Sequence, residues 1–222
     1  MDPPPGFVYD FAQALKALPV FPLPKTVLFP GAVLPLHIFE PRYRAMIRDC
    51  LARHKTLAVA LIREHAARDP HNQPAIELVA GVGTIVDHVK LADGRYEILV
   101  QGQARVRLDE LPFVPPYRRA RATVLYPGLS EPSPHDVVAL LSSAAAFASD
   151  IRSREPSFEF SVPPQSKAAT AADLAAHHLV VDAHERQSLL ETLDVAERVR
   201  RTTRALAVQH AANRARNGGP AN

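Results

Sequence analysis

Residues 18–46 read LPVFPLPKTVLFPGAVLPLHIFEPRYRAM, and how this stretch is read decides where the fold begins. It holds six prolines: Pro19, Pro22, Pro24, Pro30, Pro35 and Pro41. Proline fixes φ and removes a backbone donor, so such density marks a loop, a linker or the margins of strands. Yet the residues between the prolines are Val, Phe, Leu and Ile, which favour burial. The stretch is either a Pro-rich arm or a packed piece of a fold with its prolines at element ends.

The residues that follow favour packing. Val33–Phe39 alternates well enough for a strand. Pro41 stands just after Glu40, where a first helical turn tolerates proline. Tyr43, Met46, Ile47, Cys50 and Leu51 then fall at helical spacing, with Arg42, Arg44, Arg48 and Asp49 on the other face. TLAVALI (56–62) reads as a buried strand, and REHAARDPHNQPA (63–75) as an exposed loop. Asp93-Gly94, between VDHVKLA and RYEILV, is a hairpin signal of the primed-turn type. Gly102 is expected near a second reversal. Five to seven short strands with one inserted helix suggest a small β-barrel.

Past Pro127 the composition shifts to Ala, Leu, Glu and Arg in longer segments, the mark of a helical part. Ser133 and Pro134 open a helix through about Ile151. A second helix is expected from Thr170, with Asp173 completing a cap. Leu189, Leu193, Ala196, Val199 and Leu206 continue a helical period, with a break at Leu193-Asp194 where Asp194 caps the last helix. The expected fold class is α+β, with these divisions: 1–17 an N-terminal arm, 18–126 the barrel, 127–210 a C-terminal helical bundle, and 211–222 a flexible tail.

Composition narrows the function classes. The chain is 222 residues, 47% hydrophobic and 22% charged, with net charge +3. A single cysteine, Cys50, excludes an internal disulfide framework. The opening MDPPPGFVYD has neither the basic nor the apolar region of a signal peptide, and no apolar run is long enough for a membrane span, so the cytoplasm is the expected compartment. Residues 1–126 carry 16 basic and 12 acidic side chains, a mild bias rather than a concentrated basic stripe.

The assembled motifs resemble the N-terminal, substrate-binding domain of Lon-type ATP-dependent proteases. Leu18–Leu23, Val27–Gly31 and Phe39–Tyr43 stand where that family has L-P-L-F-P-L, V-L-F-P-G and F-E-P-R-Y. VGTIVDHVKLADGRYEILVQGQARVRL, PYRRARATVL and LLETLDVAER follow in the family's order, so the resemblance covers about residues 18–208. It implies a PUA-like barrel and makes the Pro-rich stretch an ordered part of it. It also implies a bacterial-type, non-enzymatic module that binds unfolded or apolar polypeptide segments, with an ATP-dependent protease acting in trans as a further partner. No G-x-x-x-x-G-K-[ST] occurs, so no nucleotide cofactor is expected, and the chain ends soon after the helices, without room for the family's ATPase and Ser-Lys peptidase domains.

Leu28, Phe29 and Val33 are the candidate peptide surface, the core being the other place for such residues. The alternative function is RNA binding through Arg105, Arg107, Arg118, Arg119 and Arg121 on barrel strands, an analogy of fold only. Ser166-Lys167 is an adjacent pair without the oxyanion donors that catalysis needs, and no catalytic residue is assigned. His65 with His71, and His177 with His178 and His184, form no metal-ligand pattern, so no metal is expected. Cys50 reads as a small core residue, and Glu40 with Arg42 as cap chemistry and an ion pair.

Overall fold

The computed structural model describes residues 11–217 and is a mixed α+β fold. Its strands are β1 (Leu18–Leu23), β2 (Val33–Ile38), β3 (Thr56–Leu61), β4 (Val79–Lys90), β5 (Tyr96–Glu110) and β6 (Arg119–Leu125). Its helices include α1 (Pro41–Leu51), α2 (Pro134–Arg152), α3 (Ala168–Leu179), α4 (Ala183–Glu191) and α5 (Val195–Asn217). The chain separates into two compact units between Leu125 and Tyr126.

The first unit is one six-stranded sheet in the order β2-β5-β4-β3-β1-β6. β1 and β3 run parallel, joined by the crossover that contains β2 and α1, and every other pairing is antiparallel. β6 pairs with β5 as well as with β1. The Pro-rich stretch is ordered throughout. Pro19 and Pro22 lie in β1, and Pro35 in the middle of β2, a strand paired among the described residues only with β5. Pro41 opens α1, while Glu40 at the cap position makes no capping bond and instead accepts from Arg42 Nε at 2.9 Å.

Two apolar layers result from period-2 alternation. One gathers Tyr43, Met46, Ile47 and Cys50 of α1 against Leu28, Leu57, Ile98 and Val100. The other gathers Leu18, Val20, Ala58, Val82, Val106 and Ala120, with Phe11 and Leu15 packed on it. The expected arm is therefore tied down from residue 11 onward, beginning with a helical turn over 11–14. Its residues 1–10 lie outside the described ones.

Gly102 is not at a reversal. It lies inside the long strand β5, where the VLFPG turn is laid flat across the sheet. Gly31 N donates to Gly102 O at 2.9 Å, and Gly102 N donates to Ala32 O at 2.8 Å. A Cβ on Gly102 would stand 2.0 Å from Phe29 O, and one on Gly81 the same distance from Leu28 O. The glycines thus mark close backbone approach rather than a turn. The β4–β5 hairpin does turn at Asp93-Gly94, but only Gly94 has positive φ, and Leu91 N bonds Arg95 O at 2.9 Å. The loop is accordingly longer than a two-residue primed turn.

In the second unit α5 packs against α2, α3 and α4. Ser133 Oγ caps α2 by accepting from Asp136 N at 3.1 Å, and Asp194 caps α5 by accepting from Glu197 N at 2.8 Å. The Thr170 cap does not form, because α3 begins two residues earlier at Ala168. Asp173 is instead turned inward, 3.0 Å from Arg198 Nε, and both side chains are almost fully buried. A buried guanidinium is a stronger partner for this carboxylate than backbone amides at a helix end. The segment expected as a tail from residue 211 is helical to Asn217, and residues 218–222 lie outside the described ones.

Candidate functional site

The sheet unit carries an open apolar face on its β2–β5–β4 side. Along β2 and just beyond it, Val33, Pro35, His37 and Phe39 are exposed, while Leu34, Leu36 and Ile38 turn toward the core. Register extends this face across the sheet. Val33 pairs with Gln101, Pro35 with Leu99 and His37 with Glu97. On β4, Asp87 stands beside Leu99 and Val89 beside Glu97. Val86 is the extra residue of a β-bulge between Ile85 and Asp87, and it too is exposed.

The apolar members are Val33 (42% exposed), Val86 (52%), Val89 (54%), Leu99 (37%) and Phe39 (62%). Register sets these side chains among Gln101, Asp87, His37 and Glu97, so the face is a mixed one on which several large apolar groups stay open to solvent. A hollow of about 410 Å3 lies on it, lined by Pro35, His37, Asp87, Val89, Glu97 and Leu99 among others. Its polar margin is internally paired: Arg95 Nη1 lies 3.2 Å from His37 Nε2, His37 Nδ1 lies 3.9 Å from Glu97, and Arg95 Nε donates to Asp93 at 2.6 Å. Asp87 also lines the hollow, its carboxylate accepting from His88 N at 2.8 Å, so the surface is mixed with apolar groups making up the larger part.

Of the three residues expected on a peptide surface, only Val33 belongs to this face. Leu28 and Phe29 are 0% exposed. Their backbone crosses Gly81 and Gly102, the Leu28 side chain reaches over Gly83, and both side chains are seated in the interior, with the Arg105 guanidinium 5.8 Å from the Phe29 ring centroid. Pro35, Phe39, Val86, Val89 and Leu99 were not singled out in sequence. For Leu99 a signal existed: it shares its alternation row with Glu97 and Gln101, the outward row of YEILVQ.

The five arginines do not form one surface. Arg105 and Arg118 are buried, Arg119 is half-buried, and Arg107 and Arg121 are exposed. Arg118 pairs with Glu110 at 3.1 Å and donates to Pro74 O at 2.7 Å, while Arg121 lies 3.3 Å from Asp109. Ser166 Oγ donates to Pro163 O at 2.7 Å, and Lys167 occupies the cap position of α3. The rings of His177 and His178 meet edge-on with centroids 4.9 Å apart, and His178 is also 6.0 Å from Phe160, where burial lowers its pKa. Among the described residues no cluster of three or more His, Cys, Asp or Glu side chains is placed to hold a metal. Cys50 is buried, with Sγ 3.6 Å from Thr56 O, and burial followed by the nearby Asp49 charge pushes its thiol up to about 12. It is a packing residue and not a nucleophile. Among the described residues no helix is long and apolar enough to cross a membrane.

These features define a mixed α+β protein whose six-stranded sheet leaves one apolar face uncovered. Comparison with known proteins places it more closely. The ATP-dependent protease La (LON) substrate-binding domain matches residues 17–208, and the chain belongs to that family. It is 29% identical over 201 residues to Lon protease 2 of Myxococcus xanthus, covering 89% of this chain and 24% of that protein. Lon protease of Anaeromyxobacter dehalogenans is 28% identical over 187 residues, covering 82% and 22%. The chain thus spans about a quarter of the length of these curated relatives. Its fold is shared with the Lon N-terminal domain protein from Xanthomonas campestris (TM-score 0.60, 23% identity, 88% of this chain and 97% of that one). The N-terminal domain of Mycobacterium avium complex Lon protease is similar (TM-score 0.62, 19% identity, 86% and 98%).

Proposed function

We propose that this chain is a non-catalytic recognition module that holds extended, apolar segments of unfolded polypeptide on the outer face of β2, β5 and β4. The observation that carries this reading is the row of Val33, Leu99, Val86 and Val89 left open on an otherwise well-packed sheet. Membership of the substrate-binding family supports the same role.

Pro35 bears on how the segment is held. It has no amide to donate, and in an edge strand the proline nitrogen faces away from the neighbouring strand. A further strand added along β2 would lack a hydrogen bond at its centre, so recognition is by side chains on the face and not by extension of the sheet. An ATP-dependent protease is the recipient this reading supplies, and the cytoplasm its compartment. The recognition unit is taken as residues 18–126, a sheet closed into a small barrel, a reading that the pairing of β6 with both β1 and β5 supports. Residues 127–210 form the helical subdomain, a bundle about α5.

The test is light scattering from an aggregating client protein, with and without the chain. Suppression of aggregation is expected, and its loss in Val89→Ser/Leu99→Ser at unchanged melting temperature. Equal suppression by that variant would remove the face from the reading. No suppression and no binding of apolar peptides by the unaltered chain would remove the function.

A further inference from the structure

A second hollow in the sheet unit shares no lining residue with the apolar face and has opposite character. It measures about 280 Å3 and is walled by the turn preceding β1, the end of α1 and the loop from β5 to β6. Gln13, Asp49, Arg53, His54, Thr56, Tyr117 and Arg119 contribute to its polar lining. Among the described residues Asp49 is the single carboxylate in the lining. Its charge is already engaged, since one oxygen accepts from the Tyr117 hydroxyl at 2.9 Å and the other from Arg48 at 3.2 Å.

The end of α1 adds little free negative charge. Arg48 O accepts from Ala52 N at 3.1 Å, and Cys50 O from Arg53 N at 3.0 Å and Lys55 N at 2.8 Å. The partial charge of a helix end resides on unsatisfied carbonyls, and these two are satisfied. Arg53 and Arg119, by contrast, have no carboxylate partner among the described residues, although arginines elsewhere in this unit pair with Glu40, Glu77, Asp93, Glu110 and Asp109. Arg119 is close enough to Tyr117 for its charge to act on the phenol. Two guanidinium groups and the Gln13 amide thus line one small hollow whose carboxylate is held by Tyr117 and Arg48.

We propose that this hollow is a binding site for a small oxyanion, a phosphate or carboxylate group, held between Arg53 and Arg119. Guanidinium forks match the paired oxygens of such groups, and charge-assisted bonds are the stronger kind. A volume of about 280 Å3 admits a small ion or the anionic end of a metabolite, which distinguishes it from the polypeptide face.

The experiment titrates the full chain with inorganic phosphate, and separately with acetate, against chloride at matched ionic strength, reading the melting temperature. A saturable rise is expected with phosphate. Arg53→Gln, an exposed change, should weaken the apparent affinity by roughly tenfold or more, as loss of one charge-assisted bond requires. Arg107→Gln, an exposed arginine outside the hollow, should not change it. A response to both anions gives a general oxyanion site, and to phosphate alone a tetrahedral one; either supports the proposal. No saturable rise beyond chloride with either anion, or an unchanged response in Arg53→Gln/Arg119→Gln, overturns it. Client binding at the apolar face is read separately and is expected to survive these substitutions.

Discussion

Replacing Asp173 by Ala should destabilise the helical unit far more than an ordinary helix substitution. Ala is the strongest helix former, so α3 itself loses nothing in propensity. What is lost is a carboxylate partner of Arg198, whose side chain is 1% exposed and lies 3.0 Å from the Asp173 carboxylate. Arg198 also donates to Thr192 O near the turn between α4 and α5, but a carbonyl does not neutralise a buried cation. Leaving one member of a buried pair uncompensated costs about 3–5 kcal/mol. For a unit of roughly 100 residues that corresponds to a melting temperature lower by at least about 12 °C.

Urea denaturation followed by helical circular dichroism measures the loss, and a double-mutant cycle identifies its origin. Arg198→Met alone leaves Asp173 buried without its cation and should cost a similar amount. The double variant Asp173→Ala/Arg198→Met buries no charge and should be more stable than either single variant. A loss below about 1 kcal/mol in Asp173→Ala, in the range of an exposed ion pair, would refute the reasoning. So would a double variant no more stable than the singles.

Gly102→Ala should lower the melting temperature sharply, because its Cβ would meet the Phe29 carbonyl at 2.0 Å, whereas Gly128→Ala, with its nearest neighbour at 3.5 Å, should be nearly silent. Leu28→Ala should cost about 2–5 kcal/mol as a cavity mutation, while Leu99→Ala on the open face should leave stability almost unchanged in the same denaturation assay. The Cys50 thiol, raised by burial from its ordinary 9.0 to about 12, should resist Ellman's reagent at pH 8 until denaturant is added. The folded state holds this proton more tightly than the unfolded one. Its contribution is therefore fully present below pH 9 and lost as pH rises toward about 12. Tyr117, raised from 10.0 to about 12 by burial and its bond to Asp49, acts in the same direction, so Tyr117→Phe should lessen the alkaline loss seen in a pH series of melting temperatures.

Much of the architecture was legible because it rests on local chemistry. Pro41 at a helix start, the Ser133 and Asp194 caps and the period of α1 each depend on residues within one or two turns. The misreadings involve distant partners. Gly102 resembles a turn residue until the VLFPG backbone is laid across it, and Asp173 resembles a cap residue until Arg198 is brought opposite. Both partners are far along the chain, and neighbouring residues carry no sign of them.

The candidate face divides in the same way. Alternation in YEILVQ sets Glu97, Leu99 and Gln101 apart from Tyr96, Ile98 and Val100, because only one of those rows is wholly apolar. In VLPLHIF one row is Leu34, Leu36 and Ile38 and the other is Val33, Pro35, His37 and Phe39, in which only His37 is polar, so periodicity establishes a strand but marks the inward row weakly. That choice belongs to α1, whose Tyr43, Met46, Ile47 and Cys50 share a core layer with Ile38 and the partly buried Leu34 and Leu36, leaving Val33, Pro35 and Phe39 outside. The sequence by itself determined the family, the elements and their order, since these reside in motifs and short-range spacing. Only the tertiary structure decided that Leu28 and Phe29 lie in the core and that Val33, Val86, Val89 and Leu99 share the open face, because burial depends on what packs against each side of the sheet.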